Sequence, residues 1–357
     1  MLVVLRRPLA VAAAICAVTG CKPGADSASA RLLETLTTKY YAQDVAFSPD
    51  GAMITAGAQE WKLDRKSYTG SGRWTEFDDG HHNAAGVVAY SPDGKYVATG
   101  WTTETQALMV WNATTGAQVS HTWVGAPLRT AAFSPDGRTL ATGSDDKRVW
   151  LWDTASGHPI ASGTGAPSSI SSLTFSADGK TLKAACFDGS SLSWDVHTPV
   201  QRDAADAITQ YGSVEGHPWA SAEPATSGET EFSPDGQLFG HVALDHFSIW
   251  SVASQARLES VGVIPVPPQG GDFRVLGAAR FSPDGKTVAL AVTAKGGQTT
   301  ELWDVSSAKR FAVLPTGEAT RLAFSPDGHS LAVAQAEYPE SHVEIWDISQ
   351  PLASLKR

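Results

Sequence analysis

A five-residue phrase recurs seven times in this chain: Phe47-Ser-Pro-Asp-Gly51, Tyr90-Ser-Pro-Asp-Gly94, Phe133-Ser-Pro-Asp-Gly137, Phe175-Ser-Ala-Asp-Gly179, Phe232-Ser-Pro-Asp-Gly236, Phe281-Ser-Pro-Asp-Gly285 and Phe324-Ser-Pro-Asp-Gly328. Its glycines are 43, 43, 42, 57, 49 and 43 residues apart. A period of this length marks a repeat architecture, in which each unit buries its apolar face only against its neighbours. The phrase itself is turn chemistry. Proline presets φ for the first corner, aspartate bonds the backbone ahead of it, and glycine takes the positive-φ position without steric cost. Each copy therefore joins two antiparallel strands.

The flanks agree with that reading. The strand before the phrase alternates, as at Val45 and Phe47. The strand after it is small and apolar, as in Tyr96-Val-Ala-Thr99 and Thr139-Leu-Ala-Thr142, which fits a half-buried strand. A third strand then ends in an aromatic-polar pair: Trp111-Asn112, Trp152-Asp153, Trp194-Asp195, Trp250-Ser251, Trp303-Asp304 and Trp346-Asp347. In the first unit Leu63-Asp64 aligns at this place, with Trp61 matching Trp150. A short turn such as Thr154-Ala-Ser-Gly157 leads to a fourth strand.

Phe-Ser-Pro-Asp-Gly followed some fifteen residues on by Trp-Asp resembles the WD40 repeat, over residues 31–356. The resemblance implies an all-β chain: a seven-bladed β-propeller with four antiparallel strands per blade around a central channel. A related periplasmic family shares the Ser-Pro-Asp-Gly turns but lacks Trp-Asp, so the Trp-Asp pairs decide against it. WD40 repeats often carry a Gly-His pair whose histidine joins a hydrogen-bond network. Here only His82 is well placed, so packing is expected to hold most blades. In WD40 propellers an N-terminal strand completes the last blade. Arg31-Leu-Leu-Glu-Thr-Leu-Thr37 is favoured for that role, with Pro351-Leu-Ala-Ser-Leu355 the competitor.

The N-terminus carries a different message. Arg6 and Arg7 precede the apolar run Pro8–Val18, too short to span a membrane and shaped like a secretory signal. The ending Val18-Thr19-Gly20-Cys21 resembles the lipobox of bacterial lipoproteins, whose cysteine is acylated and becomes the first mature residue. The division expected is a signal peptide at 1–20, a flexible tether at 21–30 and the propeller at 31–357. The product would be exported, anchored to a bacterial membrane by lipid on Cys21, and periplasmic or otherwise extracytoplasmic. Cys186 is then the lone cysteine of the mature chain, within an apolar run, and reads as a buried inert thiol.

Composition narrows the function. Without residues 1–20 the chain holds 25 basic and 37 acidic residues, a net charge of −12 with no basic cluster. That argues against nucleic acid as a partner. No phosphate loop, nucleophile elbow or metal-ligand spacing is present, so no cofactor, no metal and no catalytic residue is assigned. Asp78-Asp79-Gly80-His81-His82 reads as a hydrophilic loop. The leading expectation is a monomeric, non-catalytic protein-interaction scaffold. A small-ligand or glycan binder using the channel mouth is the alternative, and a propeller enzyme with an unfamiliar site the third reading.

Loop length suggests where a partner sits. Connections between first and second strands, and between third and fourth, share one face and look uniform. The length variation is assigned to the other face: Thr198–Gly228 and Pro265–Gly271 between blades, and the second-to-third loops Trp101–Gln106, Thr293–Gln298 and Gln335–His342. Loops on a rigid scaffold carry binding, and aromatics and arginine dominate interfaces. The candidate binding residues are therefore Trp101, Trp123, Tyr211, His217, Trp219, Phe273, Arg274 and Tyr338.

Overall fold

A computed structural model of the chain describes residues 30–38, 42–57, 59–63, 85–101, 107–163, 165–196, 201–202, 209–211, 217–218, 230–242, 247–253, 257–261, 275–294, 297–335 and 341–354. Seven sheets are present, one for each turn phrase, forming a seven-bladed propeller with four antiparallel strands in most blades. The one helix among the described residues is the short Ser349–Ser354.

The serine of the phrase is the hub of each turn, a role its composition alone had not suggested. In all seven copies the serine Oγ accepts the amide five residues on at 2.9 Å. It donates to the aspartate Oδ1 at 2.5 to 2.7 Å. The glycine amide closes on the serine carbonyl, with glycine φ between 65° and 71°.

The aromatic before each serine packs near the blade boundary. Phe133, Phe175, Phe232, Phe281 and Phe324 are buried, whereas Phe47 is only half-buried. Tyr90 replaces phenylalanine in blade two, and its hydroxyl reaches back to blade one, donating to Glu60 Oε1 at 2.9 Å and lying 2.6 Å from Thr55 Oγ1.

Third-strand tryptophans hold one register. Trp111, Trp152, Trp194, Trp250, Trp303 and Trp346 face Val97, Leu140, Leu182, Phe239, Val288 and Leu331 on the second strands. In blade one the residue in this register is Trp61, opposite Ile54. The alignment of Leu63-Asp64 at that place is therefore two residues too far along. The tight hairpin between Ala56 and Gln59 shortens the blade, so the aromatic arrives earlier. Trp111 and Trp152 donate to Thr99 and Thr142 at 3.0 and 2.9 Å. Trp303 and Trp346 instead donate to Glu301 and Glu344 on their own strands. The polar residue after the tryptophan caps the next turn, as Asp153 does by accepting the Ser156 amide at 2.8 Å.

Strand Arg31–Thr38 pairs antiparallel with Ser341–Asp347, the third strand of blade seven. The N-terminal segment thus closes the ring as expected, and Pro351–Ser354 is helical. Leu36, buried beside Val343 and Ile345, anchors the closing strand. Blade one shows three strands among the described residues.

Two loop assignments are corrected. The segment Thr293–Gln298 is a continuous hairpin, with pairing as far as Ala294 opposite Gly297. The segment Thr198–Gly228 is not simply a link between blades four and five. Thr209–Tyr211 runs parallel to Pro159–Gly163 on the outer edge of blade three, with Gln201–Arg202 beyond it, and His217–Pro218 is the fourth strand of blade four. Residues 197–216 therefore connect the third strand of blade four to its fourth, a kind of connection expected to be short. Phrase spacing locates an insertion only to one repeat; backbone pairing decides where in the repeat it falls.

Candidate functional site

The seven first strands enclose a channel of about 460 Å³, lined by residues from every blade. Position by position this wall is nearly uniform. The residue before the phrase aromatic is Ala46, Ala89, Ala132, Thr174, Glu231, Arg280 and Ala323 in turn. Seven positions like the four alanines and the threonine would make a neutral pore. Glu231 and Arg280, on adjacent blades, break the pattern. Asp44 and Arg321 add a second acid and base to the lining, and Arg129 a third guanidinium.

These groups also tie blades together. Asp44 accepts the Val88 amide at 2.8 Å across the boundary between blades one and two. Arg280 Nη1 meets Glu231 Oε1 at 3.2 Å on one side, and its Nε donates to the Leu322 carbonyl at 3.0 Å on the other. Thr320 donates to the Ala42 carbonyl at 3.0 Å, joining blade seven to blade one. Ser171 and Thr230 bond across blades four and five. Arg321 Nε lies 4.0 Å from Asp44 Oδ1, and Arg129 holds Asp145 in a bidentate pair at 2.8 and 2.6 Å.

Burial in a channel this narrow disfavours charge on carboxylates. It pushes Glu231 up to about 7, against the pull of the Arg280 guanidinium. Asp44 is raised for the same reason, opposed by Arg321 and Arg280. Two polar atoms on the wall are buried without a hydrogen-bond partner: Glu231 Oε2 and Ser172 Oγ. Reading along the chain missed this constellation, because Arg129, Glu231, Arg280 and Arg321 sit inside strands and Asp44 immediately before one, not in the long loops. The signal was there: the break from alanine to Glu231 and Arg280 at one fixed place in the repeat.

The sequence-selected residues are distributed differently. Trp101 and Trp123 lie on one end of blade two, opposite Ala85 and Ala107 respectively. Trp101 is buried with Val88, Met109 and Trp111, while Trp123 is 63% exposed. Tyr211 and His217 fall on outer-edge strands of blades three and four. Trp219, Phe273, Arg274, Tyr338 and Cys21, with the segments 1–20, 21–29, Asp78–His82 and 265–271, lie outside the described residues. Cys186 is fully buried, and burial pushes its thiol up to about 11, matching the inert thiol expected. Among the described residues no His, Cys, Asp and Glu side chains group so as to hold a metal ion, and no helix is long and apolar enough to cross a membrane.

The stretch 117–153 holds the outer strand of blade two and the first three strands of blade three. This segment matches the family model described as WD domain, G-beta repeat. The matched unit is thus offset from the blade it builds, lending its first strand to the preceding sheet, and closure by Arg31–Thr38 is the same offset at the ends of the ring. The chain is 33% identical over 121 residues to the periodic tryptophan protein 2 homolog of Schizosaccharomyces pombe, covering 33% of this chain and 14% of that protein. It is 30% identical over 161 residues to the small ribosomal subunit protein RACK1y of Oryza sativa subsp. japonica, covering 43% and 47%. Similarity to the protein groucho of Drosophila melanogaster is 35% over 75 residues, covering 20% and 10%. The chain therefore spans less than half the length of each of these relatives.

Proposed function

We propose that this chain is a non-catalytic WD40-type scaffold that presents a rigid ring to a protein partner, exported and held at a bacterial membrane by lipid on Cys21. The observation that carries the scaffold reading is Trp123, a large aromatic left 63% exposed at the end of a blade. A tryptophan on a rigid element loses little entropy on docking and is the residue type most enriched at interface hot spots. The relatives support the same class, since one is by its name a component of the small ribosomal subunit. The anchor rests on the lipobox resemblance at Val18–Cys21.

The scaffold reading is tested by placing a photo-cross-linker at Trp123 in the native envelope and, separately, replacing Trp123 with Ala. Adducts confined to this end of the ring and lost capture by the folded Ala variant support it. Equal capture by the Ala variant, with adducts instead from a probe at Lys286 in the turn face, would overturn the choice of face. The anchor is tested by mass spectrometry of the mature N-terminus and by fractionating Cys21→Ser. A wild-type N-terminus without lipid refutes it and leaves the capture result to stand alone. The small-ligand alternative is favoured by one observation, the charged arc in the channel.

A further inference from the structure

The channel wall is chemically lopsided. Asp44 and Arg129 carry charge on blades one and three, but the unsatisfied polar atoms of the wall, on Ser172 and Glu231, fall on blades four and five, with Arg280 and Arg321 next to them on blades six and seven. A ring that needed only interblade ties could leave every polar atom on the arc satisfied. Instead Glu231 offers one oxygen to Arg280 and keeps Oε2 buried and unpaired, and the Ser172 hydroxyl one blade away is unpaired as well. Buried polar atoms in native proteins are almost always paired, and those that are not point to a water, an ion or a ligand. The space beside them, about 460 Å³, is within the range of small-molecule pockets.

We propose that the channel binds a small hydroxylated carboxylate of the sugar-acid class, its carboxylate toward Arg280 and Arg321 and its hydroxyls on Glu231 Oε2 and Ser172 Oγ. The partners decide the class. A hydroxyl suits Glu231 Oε2 in either protonation state, donating to the carboxylate or accepting from the acid, and Ser172 can complete the same polyol. Arg280 and Arg321 face two carboxylates, Asp44 and Glu231, and the third guanidinium, Arg129, is already held by Asp145, so the lining is close to neutral and tolerates one added negative charge. A phosphate dianion would meet repulsion from both acids. A neutral sugar would use the hydroxyl sites alone. The proposal does not depend on the scaffold reading, since the channel and the Trp123 rim are separate surfaces.

The test is calorimetric titration of the detergent-solubilised full chain with D-glucuronate, D-glucose or inorganic phosphate. Saturable one-to-one binding of glucuronate is expected, with glucose and phosphate weaker by roughly tenfold or more. Ser172→Ala removes an oxygen that has no partner in the empty protein. It should leave the melting temperature unchanged and weaken glucuronate by about fivefold or more, while folded Arg321→Gln should weaken glucuronate and leave glucose unaffected. Three results would overturn the proposal. The first is no saturable heat up to ~20 mM glucuronate, which would assign the unpaired atoms to water. The second is phosphate or glucose binding as tightly as glucuronate. The third is unaltered glucuronate binding by Ser172→Ala.

Discussion

Glu231 and Arg280 face each other across the boundary between blades five and six, with Oε1 and Nη1 3.2 Å apart. The pair is half-buried in the channel, and burial outweighs the guanidinium, so the folded carboxyl titrates at about 7 in place of its ordinary 4.5. The folded state therefore holds a proton that the unfolded chain has already lost between those values. Its stabilising effect is complete below the unfolded pKa and disappears as pH rises through the folded one. The melting temperature should fall between pH 5 and 7.5, taken as about the window of that shift. Glu231→Gln should reduce the slope, leaving the part that Asp44, raised by burial as well, contributes with the same sign. The turn aspartates, such as Asp93 held at about 2 by Lys95, act in the opposite direction and only at lower pH, so they leave this window clear.

Phe281 is 3% exposed and packs against Phe247, with ring centroids 5.9 Å apart. Phe281→Ala should cost ~3–5 kcal/mol by denaturant unfolding. Phe47→Ala, at a half-buried site, should cost visibly less. Equal losses at the two positions would mean that burial does not rank these aromatics.

Gly143 permits the first strand of blade four to approach blade three. A Cβ there would stand 2.5 Å from Ile170 Cγ2 and 2.7 Å from Ile170 Cβ, and Ile170 is fully buried. Gly143→Ala should destabilise by about 1–3 kcal/mol through overpacking, and Ile170→Val should recover part of the loss in the double variant.

Ser282 is buried and makes two turn bonds, accepting the Thr287 amide at 2.9 Å and donating to Asp284 at 2.7 Å. Ser282→Ala strands a buried amide, an expected loss of ~1–3 kcal/mol. Ser282→Thr keeps the hydroxyl and should lose less, unless its added methyl clashes in the turn. Chemical denaturation of the two variants reads the difference.

Leu36 is 6% exposed at the strand that closes the ring. Leu36→Ala should cost about 2–5 kcal/mol, and backbone amides of 34–38 should exchange with solvent far more slowly in wild type than in the variant. Fast exchange in both would show that the closing strand is not part of the cooperative unit.

Turn chemistry and strand periodicity are short-range properties, and the residues that state them are contiguous. Seven Ser-Asp-Gly turns, the alternation leading into them and the tryptophans after them were therefore enough to determine seven sheets, and the unpaired run Arg31–Thr37 was enough to indicate closure. What the tertiary structure decided was long-range. Trp61, and not Leu63, holds the tryptophan register of blade one because the hairpin before it is short. Thr209–Tyr211, within the longest insertion, adds to the outer edge of blade three because a strand edge there was open to pairing. The charged arc exists because packing of consecutive blades brings Glu231 to within 3.2 Å of Arg280 and ring closure brings Asp44 to within 4.0 Å of Arg321. In the sequence those residues are isolated charges in apolar strands; only the circular arrangement gives them one shared cavity.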